Sequence, residues 1–157
     1  MAHYRTTLPS TAPVTAAFEH LADFASVADW DPGIPEAQLI SGAPGQVGAR
    51  YAVVSQFGPR RIPLEYQIVT REDPHEDQPG QVVLVADGGS FTSHDTITVR
   101  PGTQGAEVTY DAVLTLRGLV RIMDIPLHLA FQVIGRRAET GLRAELARLG
   151  AAADPQP

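Results

Sequence analysis

The C-terminal stretch from Asp124 to Leu149 constrains the fold more than any other part of the chain. Its apolar residues recur at steps of three and four, which places them on one stripe of an α-helix. Gly150 follows the last of them, where a helix is expected to end. About 25 residues at a rise of 1.5 Å predict a rod of roughly 37 Å, which needs a broad apolar partner. The stripe comprises Leu127, Phe131, Ile134, Ala138, Leu142, Leu146 and Leu149.

The chain before residue 36 predicts one short strand and two helices. His3 to Leu8 alternates weakly and ends at Pro9, as a short strand would. Residues 14–24 carry apolar side chains at helical spacing, and residues 25–30 add a second helical turn that contains the single tryptophan. The Asp-Pro-Gly sequence at residues 31–33 is a strong breaker and ends this helical region.

From residue 36 onward the apolar period changes to two, which predicts strands. Clean alternation along successive segments indicates an antiparallel sheet with one dry and one wet face. The C-terminal helix must cross the dry face, because both apolar surfaces need the same partner. The predicted strands are Ala37–Ser41, Ala49–Phe57, Ile62–Arg71, Gln81–Ala86, Phe91–Arg100 and Glu107–Arg117.

The predicted fold class is therefore α+β. A curved antiparallel sheet of about seven strands wraps the long C-terminal helix, and two short helices close one end. We expect a single domain over residues 1–150 and a disordered tail over residues 151–157.

Composition and charge limit the possible partners. A net charge of −6 disfavours nucleic acid, and no apolar run is long enough to form an integral membrane segment. The N-terminus lacks an export signal, so we expect a cytoplasmic protein. We also expect either a monomer or a homodimer. Cysteine is absent and the five histidines have no paired spacing, so neither a metal nor a cofactor is expected. Every basic residue is arginine, which indicates a GC-rich, bacterial genome.

Four segments carry a resemblance to a known family. LADFASVADWDPGI follows the first helix, VGARY opens a strand, and DTITV is followed by GAEVTYDAVLTLRG. Together with the order of elements over residues 3–149, they resemble the START-like, or SRPBCC, superfamily and within it the polyketide cyclase/dehydrase-type family. The resemblance implies a helix-grip fold, as in START domains and the birch-pollen allergen, with a deep cavity for apolar or aromatic molecules. Members include lipid carriers and aromatases/cyclases, so the fold leaves function open.

Ser93, His94 and Asp95 are the residue types of a hydrolytic triad. Neighbours on a strand point to opposite faces, so His94 is directed away from the other two. A triad is therefore not expected.

Several polar residues lie in phase with the dry face. A closed core would favour apolar groups there, because an unpaired buried polar group costs about 1–3 kcal/mol. The pattern indicates a cavity with hydrogen-bonding walls. Alternatively, the tyrosines pack as core with hydroxyls at the rim, and Asp95 sits in water near a strand end. These residues are Tyr51, Ser55, Tyr66, Ser93, Asp95 and Tyr110.

The favoured function is binding of a small hydrophobic ligand, aromatic, polyketide-like or lipid-like, between sheet and helix. One alternative is a polyketide aromatase/cyclase in which Tyr51, Tyr66 or Asp95 moves protons during aldol closure and dehydration. Another is an interaction module without ligand. Trp30 lies where the family has an aromatic at the pocket end, either stacked on a ligand or anchoring the short helices. The candidate ligand-binding residues are Trp30, Tyr51, Ser55, Tyr66, Asp95, Tyr110, Met123, Phe131 and Ile134.

Overall fold

The computed structural model describes residues 1–117 and 124–153, with side chains for all of these except Phe57 and residues 124–131. The strands are β1 (Ala2–Ser10), β2 (Glu36–Ser41), β3 (Arg50–Phe57), β4 (Arg60–Glu72), β5 (Gly80–Asp87), β6 (Phe91–Pro101) and β7 (Ala106–Leu116). The helices are α1 (Val14–Ala22), α2 (Val27–Trp30) and α3 (Asp124–Ala153), with a 3-10 turn at Phe24–Ser26 between α1 and α2.

The strands of this described part form one curved, seven-stranded antiparallel sheet in the order β1-β7-β6-β5-β4-β3-β2. From β2 onward each strand pairs with the next, whereas β1 and β2 lie at opposite edges. The segment with α1 and α2 therefore carries the chain across one face of the sheet. Register shifts interrupt the β2–β3 pairing between Leu39 and Ser41 and the β4–β5 pairing between Ile68 and Thr70. Such irregularities bend and twist a sheet locally.

Helix α3 packs against β1 and α2, and its predicted apolar stripe faces inward where the structure describes it. Ala138, Leu142 and Leu146 are buried in the core, and Leu149 is partly buried against it. The expectation for that half of the helix is confirmed. Leu127 and Phe131 lie outside the side chains that the structure describes.

Two glycines allow α3 to approach its neighbours closely. A Cβ atom on Gly141 would lie 1.8 Å from the carbonyl oxygen of Trp30, and one on Gly150 would lie 2.0 Å from Oγ1 of Thr11. Neither distance leaves room for a methyl group. Gly141 therefore fixes the separation of α2 from α3, and Gly150 does the same for the loop before α1.

The predicted end of the helix was wrong. Helix α3 continues through Gly150 to Ala153, so residues 151–153 belong to the helix and not to a disordered tail. The physical reason is the contact with Thr11: glycine is needed at position 150 for close packing and not for a left-handed cap. The rest of the predicted tail, residues 154–157, lies outside the described residues.

The strand predictions are confirmed to within a few residues at each end. Strand β1 also includes Pro9, opposite Glu107 of β7. A proline is tolerated there because β1 is an edge strand and needs no second ladder partner. None of the described helices combines the length and hydrophobicity needed to cross a membrane.

Candidate functional site

A buried carboxylate lies on the inner, buried face of the sheet. Asp95, on β6, is 3% exposed. Its Oδ1 accepts a hydrogen bond from the Ser93 hydroxyl at 2.8 Å, and its Oδ2 accepts one from the Tyr110 hydroxyl at 2.7 Å. Both donors are buried as well. The sequence alternative that placed Asp95 in water near a strand end is therefore wrong.

Strand alternation and register bring these groups together. Ser93 and Asp95 are two residues apart on β6 and share its inner face, whereas His94 between them is exposed. The expected failure of the triad pattern is confirmed. Asp95 lies opposite Ala112 of β7, two residues from Tyr110. Side chains at that diagonal offset on one face are within reach of each other when one is as long as tyrosine.

Burial dominates the electrostatics of Asp95. Loss of solvent raises the pKa of its carboxyl group, and the hydrogen bonds from Tyr110 and Ser93 oppose that rise because they stabilise the anion. The phenol pKa values of Tyr110 and Tyr66 lie well above their ordinary value of 10.0, through burial first and the charge of Asp95 second. Both phenols therefore remain protonated and serve as neutral hydrogen-bonding groups.

A second buried acid, Asp31, joins this group, and the sequence analysis missed it. Asp31 follows α2, is 7% exposed, and accepts a 2.8 Å hydrogen bond from the Gly33 backbone N–H at Oδ1. Burial raises its pKa from 3.8 to about 6, and the charge of Asp95 adds to the rise. We refer to Asp31, Tyr66, Ser93, Asp95 and Tyr110 as the acidic cluster.

Trp30 packs directly on the acidic cluster. It is 2% exposed, and its indole meets the ring of Tyr110 edge to face, with 5.6 Å between the ring centroids. Its Nε1–H is buried and has no hydrogen-bond partner among the described residues. Trp30 and Asp31 also line a cleft of about 800 Å3 between α2 and α3, which includes Val133, Arg136 and Arg137 of α3. We call it the α2–α3 cleft.

Two of the predicted site residues do not belong to the acidic cluster. Tyr51 is directly opposite Tyr66 in the β3–β4 pairing, but its hydroxyl accepts a 2.8 Å hydrogen bond from the Gly45 backbone N–H. It thus anchors the turn before β3 and packs as core. Ser55 is partly buried further along β3, opposite Ile62. No contact described here joins either residue to Asp95.

The remaining predictions concern the helix side of the site. Ile134 of α3 is partly buried, and its Cγ2 would lie 3.7 Å from a methyl group placed on Gly33, so it borders the Asp31 loop. The structure does not describe the side chain of Phe131 or any part of Met123. Their assignment to the ligand site stays a prediction.

A second set of titratable groups joins the three helices. His20, Asp29 and Glu145 bring one ligand atom each within 4.8 Å of one another. Arg148, however, contacts both oxygens of Glu145, at 2.5 and 2.8 Å. Nε2 of His20 lies 2.9 Å from Oε1 of Glu145, although not in hydrogen-bond geometry. A metal ion would have to displace the guanidinium, so we interpret these residues as an ion-pair network.

Comparison with solved structures places the fold among known ones. A protein from Thermus thermophilus superimposes with a TM-score of 0.71 at 13% identity, covering 98% of this chain and 99% of that one. A STAR-related lipid transfer protein from Xanthomonas axonopodis gives 0.69 at 18% identity, with 92% and 85% covered. A major latex-like protein from Panax ginseng gives 0.62 at 15% identity, with 92% and 96% covered. At these identities the likeness concerns the fold.

The sequence itself supplies the assignment to a family. No curated protein matches this chain. The family model described as polyketide cyclase / dehydrase and lipid transport matches residues 1–154. That match covers nearly the whole chain and agrees with the START-like and helix-grip relatives found by structure. The protein therefore belongs to the polyketide cyclase / dehydrase and lipid transport family.

Proposed function

We propose that this protein binds a small, largely apolar molecule between the sheet and α3, with the acidic cluster holding the polar group of that molecule. The observation that carries the proposal is Asp95. Its carboxyl group is buried in an otherwise apolar interior, and two hydroxyl groups are its described hydrogen-bond partners. Perturbed, buried acids of this kind concentrate at functional sites.

The lack of an ion pair to either acid among the described side chains strengthens this interpretation. Among the described side chains, no arginine or histidine forms an ion pair with Asp31 or Asp95. A pair of acids without a cation destabilises a core, and apolar residues of similar size would fold more favourably there. A binding role explains why two acids are buried here, Asp95 on the sheet and Asp31 after α2. Family membership and the lipid transfer protein among the structural relatives support the same class of function.

The first test is titration with N-phenyl-1-naphthylamine, an uncharged apolar fluorophore. We expect saturable binding at one molecule per chain, with quenching of Trp30, because Trp30 is the single tryptophan and lies against the acidic cluster. Native mass spectrometry of freshly purified protein checks the stoichiometry and reveals any co-purified lipid or aromatic molecule.

A surface variant controls for adventitious binding. Val69, on the outer side of the sheet, is 45% exposed. Val69→Ser should leave the affinity unchanged if the probe enters the interior. No saturable binding, or binding abolished by Val69→Ser, would overturn the proposal and favour an interaction module with a filled core.

A second candidate is proton-transfer catalysis of the aromatase/cyclase kind. It is favoured by the pKa of Asp31, which burial raises to about 6, beside a second acid whose pKa is also raised. Aldol closure requires a base that removes a proton next to a carbonyl and an acid that protonates the resulting alkoxide. Asp31, with a pKa of about 6, and Asp95, with a pKa that burial also raises, are the two groups available for these roles.

Exchange of the C1 hydrogens of 2-tetralone in D2O tests this candidate without knowledge of the substrate. NMR should show faster exchange with the wild-type protein than in buffer, and Asp31→Asn and Asp95→Asn should each remove the acceleration. Exchange at the buffer rate with bound 2-tetralone would leave ligand binding as the function and exclude this activity.

A further inference from the structure

The acidic cluster and Trp30 together present an unmatched set of hydrogen-bonding groups. The carboxylates of Asp31 and Asp95 accept hydrogen bonds when ionised. Trp30 Nε1–H, in contrast, donates only, and it is buried without a described partner. Leaving such a donor unpaired in an apolar interior costs free energy. Among the described residues, the interior therefore holds a donor without a partner, on an indole that packs against Tyr110 of the acidic cluster.

Trp30 and the acidic cluster are in contact. The indole of Trp30 lies on the ring of Tyr110, and the hydroxyl of the same Tyr110 is bonded to Asp95. Asp31 is the next residue after Trp30 and interacts electrostatically with Asp95, Tyr66 and Tyr110. Tyr110 therefore contacts both the indole of Trp30 and the carboxylate of Asp95, and connects the donor to the acids.

We infer that the ligand presents an uncharged hydroxyl group to Trp30 and the acidic cluster, and that ligands with a carboxylate in that position are rejected. This inference rests on the proposed binding function. A hydroxyl oxygen accepts from the indole N–H while its proton is donated to a carboxylate. A ketone or an ether only accepts. A carboxylate accepts as well, and in the interior it meets the negative charge of two acids, whereas the exposed Arg136 and Arg137 lie in the α2–α3 cleft.

Three naphthalenes of nearly equal size test the inference: 2-naphthol, 2-methoxynaphthalene and 2-naphthoate. Each is titrated against the wild-type protein at pH 7.5, as a competitor of bound N-phenyl-1-naphthylamine. We expect 2-naphthol to bind about tenfold more tightly than 2-methoxynaphthalene, which corresponds to one hydrogen bond to a charged group. 2-Naphthoate should be the weakest of the three.

Variants assign the preference to the cluster. Asp95→Asn should reduce the preference for 2-naphthol over 2-naphthoate by about tenfold or more, because it removes a negative charge and keeps the shape. Asp31→Asn should act in the same direction and serves if Asp95→Asn fails to fold. Asp87→Asn, at an exposed carboxylate paired with Arg117, is the matched control and should leave the preference unchanged.

The outcomes separate the two levels of the account. If neither the fluorophore nor any naphthalene binds, the proposed function fails and the inference fails with it. If the fluorophore binds, but 2-methoxynaphthalene or 2-naphthoate binds as tightly as 2-naphthol or more tightly, the binding function stands and the inference is overturned. A preference for 2-naphthol that survives both Asp95→Asn and Asp31→Asn also contradicts the inference.

Discussion

The hydroxyl of Tyr110 on β7 donates a 2.7 Å hydrogen bond to Oδ2 of Asp95 on β6, so that a tyrosine of one strand holds a buried carboxylate of the next. Ser93 holds the other carboxylate oxygen. The result is a polar centre inside an apolar core, fixed by neighbouring strands of the sheet. The register of β6 and β7, which pair along their whole length, sets the relative positions of the two residues.

Tyr110→Phe should destabilise the protein by about 1–3 kcal/mol at pH 7, because it leaves one oxygen of a buried carboxylate without its donor. In the wild-type protein this hydrogen bond lowers the pKa of Asp95, so the substitution should raise that pKa. The difference in unfolding free energy between the variant and the wild type should therefore be smaller in acid, where Asp95 is protonated. Urea unfolding at pH 7 and pH 3.5 measures both values. An equal deficit at the two pH values would show that the hydrogen bond does not stabilise the anion.

Asp31→Asn should stabilise the protein above pH 6. The folded-state pKa of Asp31 is raised from 3.8 to about 6, so its favourable contribution is complete below pH 3.8 and is lost as the pH rises through 6. Asparagine keeps the acceptor for Gly33 N–H and carries no charge. A shift of about two pKa units corresponds to a gain of roughly 3 kcal/mol at pH 7.5, vanishing near pH 3.5.

Thermal or urea unfolding across this pH range checks the result. Asp77→Asn, in the exposed loop between β4 and β5, is the matched control and should show no such trend. A variant less stable than wild type at pH 7.5 would mean that the charge of Asp31 is paired and not merely buried.

Tyr66→Phe and Tyr51→Phe should differ in ligand binding although the two tyrosines face each other across β3 and β4. Tyr66 belongs to the acidic cluster, whereas the Tyr51 hydroxyl is bonded to the Gly45 backbone. Calorimetric titration with 2-naphthol should show an affinity loss of several-fold for Tyr66→Phe and none for Tyr51→Phe. Equal affinities for the two variants would exclude Tyr66 from the pocket wall.

Gly141→Ala should destabilise the protein by about 1–3 kcal/mol, since the added methyl group overlaps the Trp30 carbonyl and forces α2 and α3 apart. An alanine in an unobstructed helix would instead stabilise by about 1 kcal/mol, so the sign of the change is diagnostic. Arg137→Ala, on the exposed side of the same helix, should stay within about 0.5 kcal/mol of wild type. A stabilising Gly141→Ala would show that the helices are not in close contact at this point.

The strands and the inner face of α3 were predictable from the sequence because each follows from the periodic spacing of apolar residues. Alternation also placed Ser93, Asp95 and Tyr110 on one face. It did not reveal that Tyr110 reaches Asp95, since that contact depends on the register between β6 and β7. Alternation also did not distinguish Tyr66 from Tyr51. Both face the same side of the sheet, and they differ in the groups that surround their hydroxyls.

Asp31 and Gly150 show why local signals were misleading. Asp-Pro-Gly is typical of an exposed turn, and the turn is present, with Gly33 bonded to the Asp31 carboxylate. The burial of that carboxylate depends on the tertiary packing around Trp30, which no local pattern encodes. A glycine near the end of a helix predicts a cap, but at position 150 it meets Thr11, far away in sequence. Glycine is favoured both where a helix ends in a cap and where a helix packs closely on a neighbouring segment, so its presence alone does not distinguish the two.

The indole N–H of Trp30 gives the most direct test of the central claim, that the interior beside Asp95 receives a ligand. The chain has one tryptophan, so a 15N–1H spectrum of the protein contains a single indole resonance. On saturation with 2-naphthol we predict a large downfield shift of that resonance, as the buried N–H gains an acceptor. An indole resonance that stays in place at saturation with 2-naphthol would contradict the account.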